Sequence, residues 1–305
     1  MRGNFFGEAG AGLKFRNPSG GLPLELVGWA GGLIFLAAMN PLALAQQPDY
    51  LWLSAAPDSD IAERFPPPEG FLRDSLPAGS FGDWLRHLPL KSSESPVRLF
   101  NGHLKQNQSA HAAVIDLDVG HDDLQQCADA VIRLRAEYLF SRHRFAEMRF
   151  HFTSGDRADF DRWICGYRSN VHGNRVSWVL SASPDSSYKS FRDYLRTVFT
   201  YAGTRSLEKE LKPRHSVTDM QVGDVFIAGG SPGHAVIVVD MAVNPHSGEK
   251  VFLLAQSFMA AQDLHVLKNP QDPSGSPWYP LDFGSMLGTP EWVFHAGDLR
   301  YFESP

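Results

Sequence analysis

The chain has 305 residues, of which 43% are hydrophobic and 20% charged, and 28 Lys+Arg against 34 Asp+Glu give a formal net charge of −6. This length can bury a sizeable core and corresponds to one or two domains. The acidic balance argues against a broad nucleic-acid binder, which needs a clustered basic surface. An aromatic content of 12% argues against a disordered chain. Two cysteines are too few for a disulfide framework or a cysteine-rich zinc site.

The first 45 residues predict a signal peptide. Residues 26–38 (LVGWAGGLIFLAA) form an uncharged apolar run that is too short to span a bilayer but is typical of a signal-peptide core. Residues 43–45 (ALA) form a small-residue cleavage site. We therefore expect a periplasmic or secreted protein without an integral membrane domain after cleavage. The alternative is an uncleaved N-terminal anchor. Outside the cytoplasm, Cys127 and Cys165 are allowed to pair.

Residues 46–78 are rich in Pro, Asp and Ser and predict a lead-in segment before a single α+β unit over residues 79–305. Periodicity within that unit predicts alternating short elements up to residue 180. These are helices at 80–88, 122–141 and 158–167, and strands at 96–100, 110–119, 148–152 and 174–180.

The second half of the unit predicts a helix followed by an antiparallel sheet. The helix covers residues 186–202 and ends at a glycine, as helices commonly do. Strands are expected at 224–228, 234–243, 250–256 and 264–267. A short polar turn at 244–248 (NPHSG) joins the second and third of them, so these two strands should pair side by side. We expect the helix to pack against this sheet.

His234 is the most conspicuous candidate for chemistry. It follows a glycine-rich turn and opens an almost entirely apolar strand, in the pattern GDVFI, then SPGHAVIVV. A stiff strand holds a side chain in a fixed place, which is what a general base requires.

This pattern resembles the NlpC/P60 and CHAP groups of papain-like peptidases and amidases. The resemblance implies that residues 186–305 form a papain-like half, that His234 is the catalytic base and that Gln256, on the next strand, orients its imidazole. It also implies a peptide or peptidoglycan amide as ligand or substrate. Antiparallel pairing should bring His234 and Gln256 side by side.

The resemblance is incomplete at the nucleophile. Those families carry a cysteine at the start of the helix before the G-D strand, and here Ser187 and Ser190 are the hydroxyls at the corresponding place. A serine needs a well-aligned base and an oxyanion hole. Three interpretations remain open: a serine variant of the amidase, a degenerate ligand-binding version of the fold, and a structural histidine.

Further residues are assigned to binding and packing. The start of the 186–202 helix should face His234 and offer N–H groups to an anion, with Tyr188 and Lys189 in contact with ligand together with Ser231 and Gly233. Cys127 lies on the apolar stripe of the 122–141 helix. It is interpreted as a packed core residue, with a disulfide partner or a nucleophile as alternatives.

No cofactor, metal or nucleic-acid partner is expected. The histidines form no H-x-x-x-H or H-E-x-x-H pair, and the sequence has no P-loop or G-x-G-x-x-G. His111, Asp116 and Asp118 could suggest a metal site on the predicted strand. Strand side chains alternate, however, so His111 faces away from the two aspartates. The acidic residues there are interpreted as a solvated strand end.

Over nearly all of residues 79–302, the chain is similar to exported bacterial proteins known as a domain of unknown function (number 4846). The matching pieces include QCADAVIRLRAEY at 126–138, GGSPGHAVIVVD at 229–240 and LAQS at 254–257. This resemblance implies one folded unit and a lead-in outside it. It implies no particular activity.

Overall fold

The computed structural model describes residues 50–54 and 57–303. The predicted signal peptide lies outside these residues. The α-helices found in the described part are α1 (Ile61–Arg64), α2 (Phe81–Arg86), α3 (Cys127–Ser141), α4 (Phe160–Ile164), α5 (Tyr188–Tyr201) and α6 (Thr204–Glu210).

The strands are short except in the second half of the chain. They are β1 (Ser59–Asp60), β2 (Leu72–Arg73), β3 (Pro89–Leu90), β4 (His111–Val114), β5 (Arg149–His151), β6 (Arg157–Asp159), β7 (Tyr167–His172), β8 (Arg175–Leu180), β9 (Lys212–Pro213), β10 (Val225–Ala228), β11 (His234–Val243), β12 (Lys250–Gln256), β13 (His265–Leu267), β14 (Tyr279–Pro280), β15 (Met286–Gly288), β16 (Val293–His295) and β17 (Leu299–Tyr301).

An antiparallel sheet with β11 and β12 at its centre organises the molecule. Its order is β4-β13-β12-β11-β10-β17-β9, with β14 beside β12 and β2 beside β11. The β11–β12 pair is antiparallel, with a register shift between Val238 and Asp240, as the short turn between the two strands predicts. The coarse expectation of an α+β protein with an antiparallel sheet and packed helices is confirmed.

The two faces of β11 pack against different cores. Ala235, Ile237 and Val239 belong to the larger apolar cluster, which includes the buried residues of α2 and α3. Val236 and Val238 belong to a second cluster with residues of β10, β12 and β16. Because side chains alternate along a strand, His234 shares the second face with Val236, whereas α3 lies on the first.

Helices α2, α3 and α6 pack on the strands of this sheet, and the expectation that the 186–202 helix does so is wrong. That helix, observed as α5, packs instead against α3 and α4. The ring of Phe191 stacks on Phe140 of α3 at 4.4 Å, and Tyr194 contacts Phe160 of α4 at 5.0 Å. Both α3 and α5 have apolar faces, and periodicity alone does not say which surface each face meets.

The segment 46–78 was expected to lie outside the folded unit, and its described part differs from that expectation. Strand β1 pairs with β3 and β2 pairs with β11. Ile61 is fully buried, and Arg73 donates to the carboxylate of Asp240 on β11 at 2.7 Å. Asp240 also accepts from Arg86 at 2.6 Å, so a buried ion cluster joins this segment to the central strand.

Several predicted boundaries change. Residues 96–100 form only isolated bridges, and the predicted 158–167 helix ends at Ile164 before β7 begins. Gly166 makes this break with φ +94°, a backbone conformation that favours glycine. The predicted 122–141 helix begins later, at Cys127, so that this cysteine becomes its first residue.

Candidate functional site

His234 and Gln256 form a hydrogen-bonded pair at the ends of two neighbouring strands. His234 is the first residue of β11 and Gln256 the last of β12, and the distance from His234 Nε2 to Gln256 Oε1 is 2.8 Å. Each is only 1% exposed. The predicted proximity of the two side chains is therefore confirmed, and their catalytic role stays a prediction.

A carboxylate determines how the Gln256 amide is oriented. Gln256 Nε2 donates to Glu291 Oε2 at 2.6 Å, and Glu291 forms an ion pair with Lys105 at 2.5 Å. An ionised carboxylate only accepts hydrogen bonds, so the NH₂ end of the amide must face Glu291 and its oxygen must face the imidazole.

The amide orientation in turn assigns the tautomer of the histidine. Because Gln256 Oε1 only accepts, the proton of the neutral imidazole lies on Nε2 of His234. Nδ1 then carries the lone pair, and in the described part of the chain no hydrogen bond is made to it. The site thus contains a neutral imidazole with one nitrogen held by an amide and the other available as a base.

Aromatic rings enclose this imidazole and keep it neutral. Phe258, Trp292 and Phe294 have ring centroids 4.7, 5.4 and 5.8 Å from that of His234. Burial, with a smaller contribution from the nearby Lys105, lowers the pKa of His234 to about 4, although the hydrogen bond with Gln256 opposes the shift. His234 is uncharged at neutral pH.

A second buried histidine completes the polar cluster. His265 on β13 donates from Nδ1 to the carbonyl oxygen of Asp263 at 2.8 Å. Its Nε2 lies 3.4 Å from both Lys105 Nζ and Gln256 Nε2. Burial holds the pKa of His265 well below its usual value, so this ring accepts from its neighbours and keeps the cation and the amide in place.

Cys127 lies near the end of β11 at which His234 is found, but on the other face of the sheet. It is the first residue of α3 and is 8% exposed. The backbone N–H groups of Ala128, Ala235 and Cys127 itself favour the thiolate, but burial outweighs them and, with the nearby Asp129, raises the pKa of Cys127 to about 11. The N–H of Ala235 faces the thiol, while the preceding Cα carries the His234 imidazole.

Cys127 also lines a cavity of about 410 Å³. Ser231 and Gly233, expected to contact ligand, line the same cavity. A Cβ at Gly233 would lie 2.4 Å from Thr204 Oγ1 and 2.7 Å from the Gly230 nitrogen, so only glycine fits there. The turn before β11 therefore packs tightly beside the cavity and holds His234 at the strand start.

The two candidate serines are engaged elsewhere. Ser187 caps α5 by accepting from the Ser190 N–H at 3.2 Å, and Ser190 Oγ accepts from Trp163 Nε1 at 3.0 Å. Tyr188, which follows Ser187 in the chain, donates from its hydroxyl to the Glu137 carboxylate at 2.8 Å. Glu137 is ten residues after Cys127 along α3, which corresponds to about 15 Å of helix.

The expected position of this helix start is therefore wrong. The start of α5 lies beside the C-terminal half of α3. His234 is found near the N-terminal end of α3, where Cys127 lies, so the start of α5 does not face it. Lys189 forms an exposed ion pair with Asp193 at 2.8 Å. Neither Tyr188 nor Lys189 contacts the cavity that Cys127 lines, as far as the described residues define it.

Sequence reasoning missed Lys105, Glu291 and the position of Cys127. The first two lie in loops, where no periodicity marks a side chain as buried. Cys127 is a cysteine at a helix start, but almost a hundred residues separate it from the G-D strand. Its helix was also expected to begin at residue 122, so no cysteine was expected at the helix start.

Metal ligands and disulfides would be the other sources of chemistry among the described residues. They contain no group of three or more His, Cys, Asp or Glu side chains that could hold a metal ion. Cys127 and Cys165 are both free cysteines. No helix within residues 50–54 and 57–303 combines the length and apolar character needed to cross a membrane.

Comparisons with known proteins identify a family for the chain. A family model described as "Domain of unknown function (4846)" matches residues 61–301. Neither the curated proteins nor the solved structures gave a match. The matched region begins at α1 and ends with β17, so it includes the described part of the lead-in and every residue of the His234 cluster. The chain belongs to this family, the domain of unknown function 4846.

Proposed function

We propose that the protein is an exported cell-envelope hydrolase that cleaves a peptide or peptidoglycan amide, with Cys127 as nucleophile and His234 as base. The observation that carries this proposal is the oriented chain Glu291–Gln256–His234. It leaves Nδ1 of His234 available at the start of the strand on which the Cys127 helix packs. The arrangement resembles the NlpC/P60 and papain-like enzymes in using a cysteine at a helix start, a histidine on a strand and an amide that orients it.

The proposed reaction divides amide cleavage into two steps. The Cys127 sulfur attacks the amide carbon, and its proton passes to His234 Nδ1 through a water molecule, because His234 is not among the residues that line the Cys127 cavity. Backbone N–H groups at the start of α3 stabilise the oxyanion. The amine leaves with the proton from the imidazolium, and a water molecule, deprotonated by the same nitrogen, hydrolyses the thioester. Gln256 keeps the imidazole in the required tautomer throughout.

The resting state of this site is the neutral pair. A thiol pKa of about 11 and an imidazole pKa of about 4 mean that neither group is ionised at pH 7. A preformed thiolate is therefore not part of the proposal. The proton transfers as substrate fills the cavity and displaces water, which strengthens the interaction between the developing charges.

The test is incubation of purified protein with peptidoglycan, followed by mass analysis of the released fragments. Wild-type protein should release amide-cleavage products, and Cys127→Ala and His234→Gln should release none while remaining folded. The matched control is Cys165→Ala, which removes the exposed cysteine and should retain wild-type activity. No product from wild-type protein, or full activity in Cys127→Ala, would overturn the proposed mechanism.

A second function is favoured by the burial of the site. The His234 ring is almost completely covered and the thiol remains protonated, which suits a non-catalytic envelope module with a degenerate papain-like site. In that case soluble peptidoglycan fragments bind without turnover, and Ser231→Trp, which fills the cavity, weakens binding at least tenfold. Released product in the mass assay rejects this alternative.

Export is a separate part of the proposal. It rests on the apolar run at 26–38 and the small residues at 43–45. Mass spectrometry of protein from its native compartment should find a mature N-terminus near Gln46. An intact leader in a cytoplasmic fraction would refute export without affecting the proposed chemistry.

A further inference from the structure

Arg135 is a buried cation that forms no ion pair with any of the described residues. It lies on α3 and is 7% exposed. Among residues 50–54 and 57–303 its guanidinium makes no hydrogen bond or ion pair. Burial is the main cause that lowers its pKa and Arg144 acts in the same direction, while Tyr138 and Glu147 oppose the shift. No nitrogen of Arg135 is among the fully enclosed side-chain atoms that lack a partner, so its unpaired donors open onto the space around them.

Aromatic rings hold the guanidinium in place. Its central carbon lies 5.1 Å from the Phe81 ring centroid and 5.4 Å from that of Phe302, and the Tyr138 ring is at 5.8 Å. Cation–π contacts of this kind stabilise the charge, but they use the faces of the rings and leave the five N–H donors of the guanidinium unused.

Two cavities meet at this side chain. Arg135 and Phe302 line a larger cavity of about 810 Å³ and a smaller one of about 310 Å³. The larger cavity also has apolar walls, formed by Phe81, Leu76 and Met220. Its volume lies within the range of small-molecule sites.

The acidic groups around the larger cavity do not neutralise Arg135. Asp224 is held by two bonds from Arg214, both of 2.7 Å. Asp74, Asp219 and Glu303 line the wall but none of them lies within ion-pair distance of the guanidinium. Lys250 adds a further cation to the same wall.

The acidic groups around the smaller cavity also have other partners. Glu147 accepts two hydrogen bonds from Arg144, and Glu210 is paired with His151 at 3.1 Å. Arg149 lines this cavity as a second cation.

We propose that Arg135 is the anchor of a second binding site, which takes a small carboxylic acid with an aromatic or aliphatic body. The carboxylate accepts two parallel hydrogen bonds from the guanidinium, a geometry that arginine favours. The body of the ligand lies in the larger cavity against Phe81 and Met220. Eight residues of α3, about 12 Å, separate Arg135 from Cys127, so this site is independent of the proposed hydrolase.

The experiment uses the purified chain and three probes. N-acetyl-phenylalanine presents a peptide-like carboxylate, 4-phenylbutyrate presents the same charge without a peptide group, and N-acetyl-phenylalaninamide lacks the charge. Titration calorimetry measures affinity, and the ¹³C methyl resonance of Met220, assigned with Met220→Leu, reports the location. Inorganic phosphate serves as a plain-anion probe.

Both acids should bind at least tenfold more tightly than the amide and should shift the Met220 resonance. Arg135→Met should weaken acid binding at least tenfold, and Arg149→Met should change it less than threefold. Preference for the peptide-like acid over 4-phenylbutyrate would identify a peptide terminus as the source of the carboxylate.

The comparison of acid with amide on wild-type protein tests the proposal even if Arg135→Met fails to fold. Equal binding of acid and amide, no binding of either acid, or binding of phosphate as tight as that of both acids would overturn the proposal. Unchanged acid affinity in a folded Arg135→Met variant would do the same.

Discussion

The pH dependence of stability should report directly on the buried imidazole of His234. Its pKa is about 4 in the folded protein against 6.5 for an ordinary histidine. The folded state therefore holds this proton less tightly than the unfolded state does. Stability from the neutral ring is fully present above pH 6.5 and is lost as the pH falls toward 4.

The size of this effect follows from the two pKa values. Between pH 7.5 and pH 5 the unfolded state takes up almost one proton that the folded state does not. This difference destabilises the protein by about 2 kcal/mol, since each pKa unit corresponds to about 1.4 kcal/mol. Other groups titrate over the same range, so the measurement must compare two proteins that differ only at this ring.

The comparison is wild type against His234→Gln. The glutamine amide can still donate to Gln256 Oε1 but has no proton to gain. Urea unfolding at pH 7.5 and pH 5 should show a loss of unfolding free energy about 2 kcal/mol larger in wild type than in the variant. The matched control is His246→Gln, in the exposed turn between β11 and β12, and it should lose as much as wild type.

Two results would refute this reasoning. One is an equal loss of stability in wild type and His234→Gln, which would mean that burial of the ring has no energetic consequence. The other is an NMR titration in which the His234 imidazole gains its proton near pH 6.5 in the folded protein. Either result would also remove the neutral resting state from the proposed mechanism.

Three further predictions concern other parts of the fold. Asp240→Ala should destabilise the protein by about 3–5 kcal/mol, because it leaves the two arginines bound to this carboxylate unpaired; a melting temperature within about 2 °C of wild type would contradict this. Ser190→Ala should cost about 1–2 kcal/mol in urea unfolding through the lost bond from Trp163 and should leave any peptidoglycan cleavage intact, whereas loss of cleavage in a folded variant would restore the serine as a nucleophile. Gly166→Ala should cost at least about 1–3 kcal/mol from positive φ alone, and its Cβ would lie 2.1 Å from the Ala182 carbonyl oxygen; a thermal melt unchanged from wild type would show that the turn relaxes freely.

Local pattern was enough to predict the His234–Gln256 contact. Apolar runs of strand length on both sides of a short polar turn leave an antiparallel hairpin as the natural solution, and counting from the turn brings the two strand ends together. The bounds predicted for β11 and β12 agree with the structure. Both side chains then point to one face because the side-chain period of a strand is two.

The choice of helix on the sheet was beyond local pattern. The α5 sequence has a clear apolar face, which made it the obvious candidate, but that face meets α3 and α4. Residues Cys127 to Phe140 of α3 are all buried, as expected for a helix enclosed on every side. This burial on all sides shows the central position of α3, which its apolar stripe alone did not indicate.

What the sequence by itself determined is the α+β class, the central hairpin and the strand that presents His234, because each follows from interactions between residues close in the chain. Only the tertiary structure decided what surrounds the imidazole. Lys105 lies 160 residues before His265, and Glu291 lies 35 residues after Gln256. The Ala235 N–H that faces the Cys127 thiol belongs to a strand more than a hundred residues downstream. Contacts over such separations depend on how the whole core packs, and no periodicity records them.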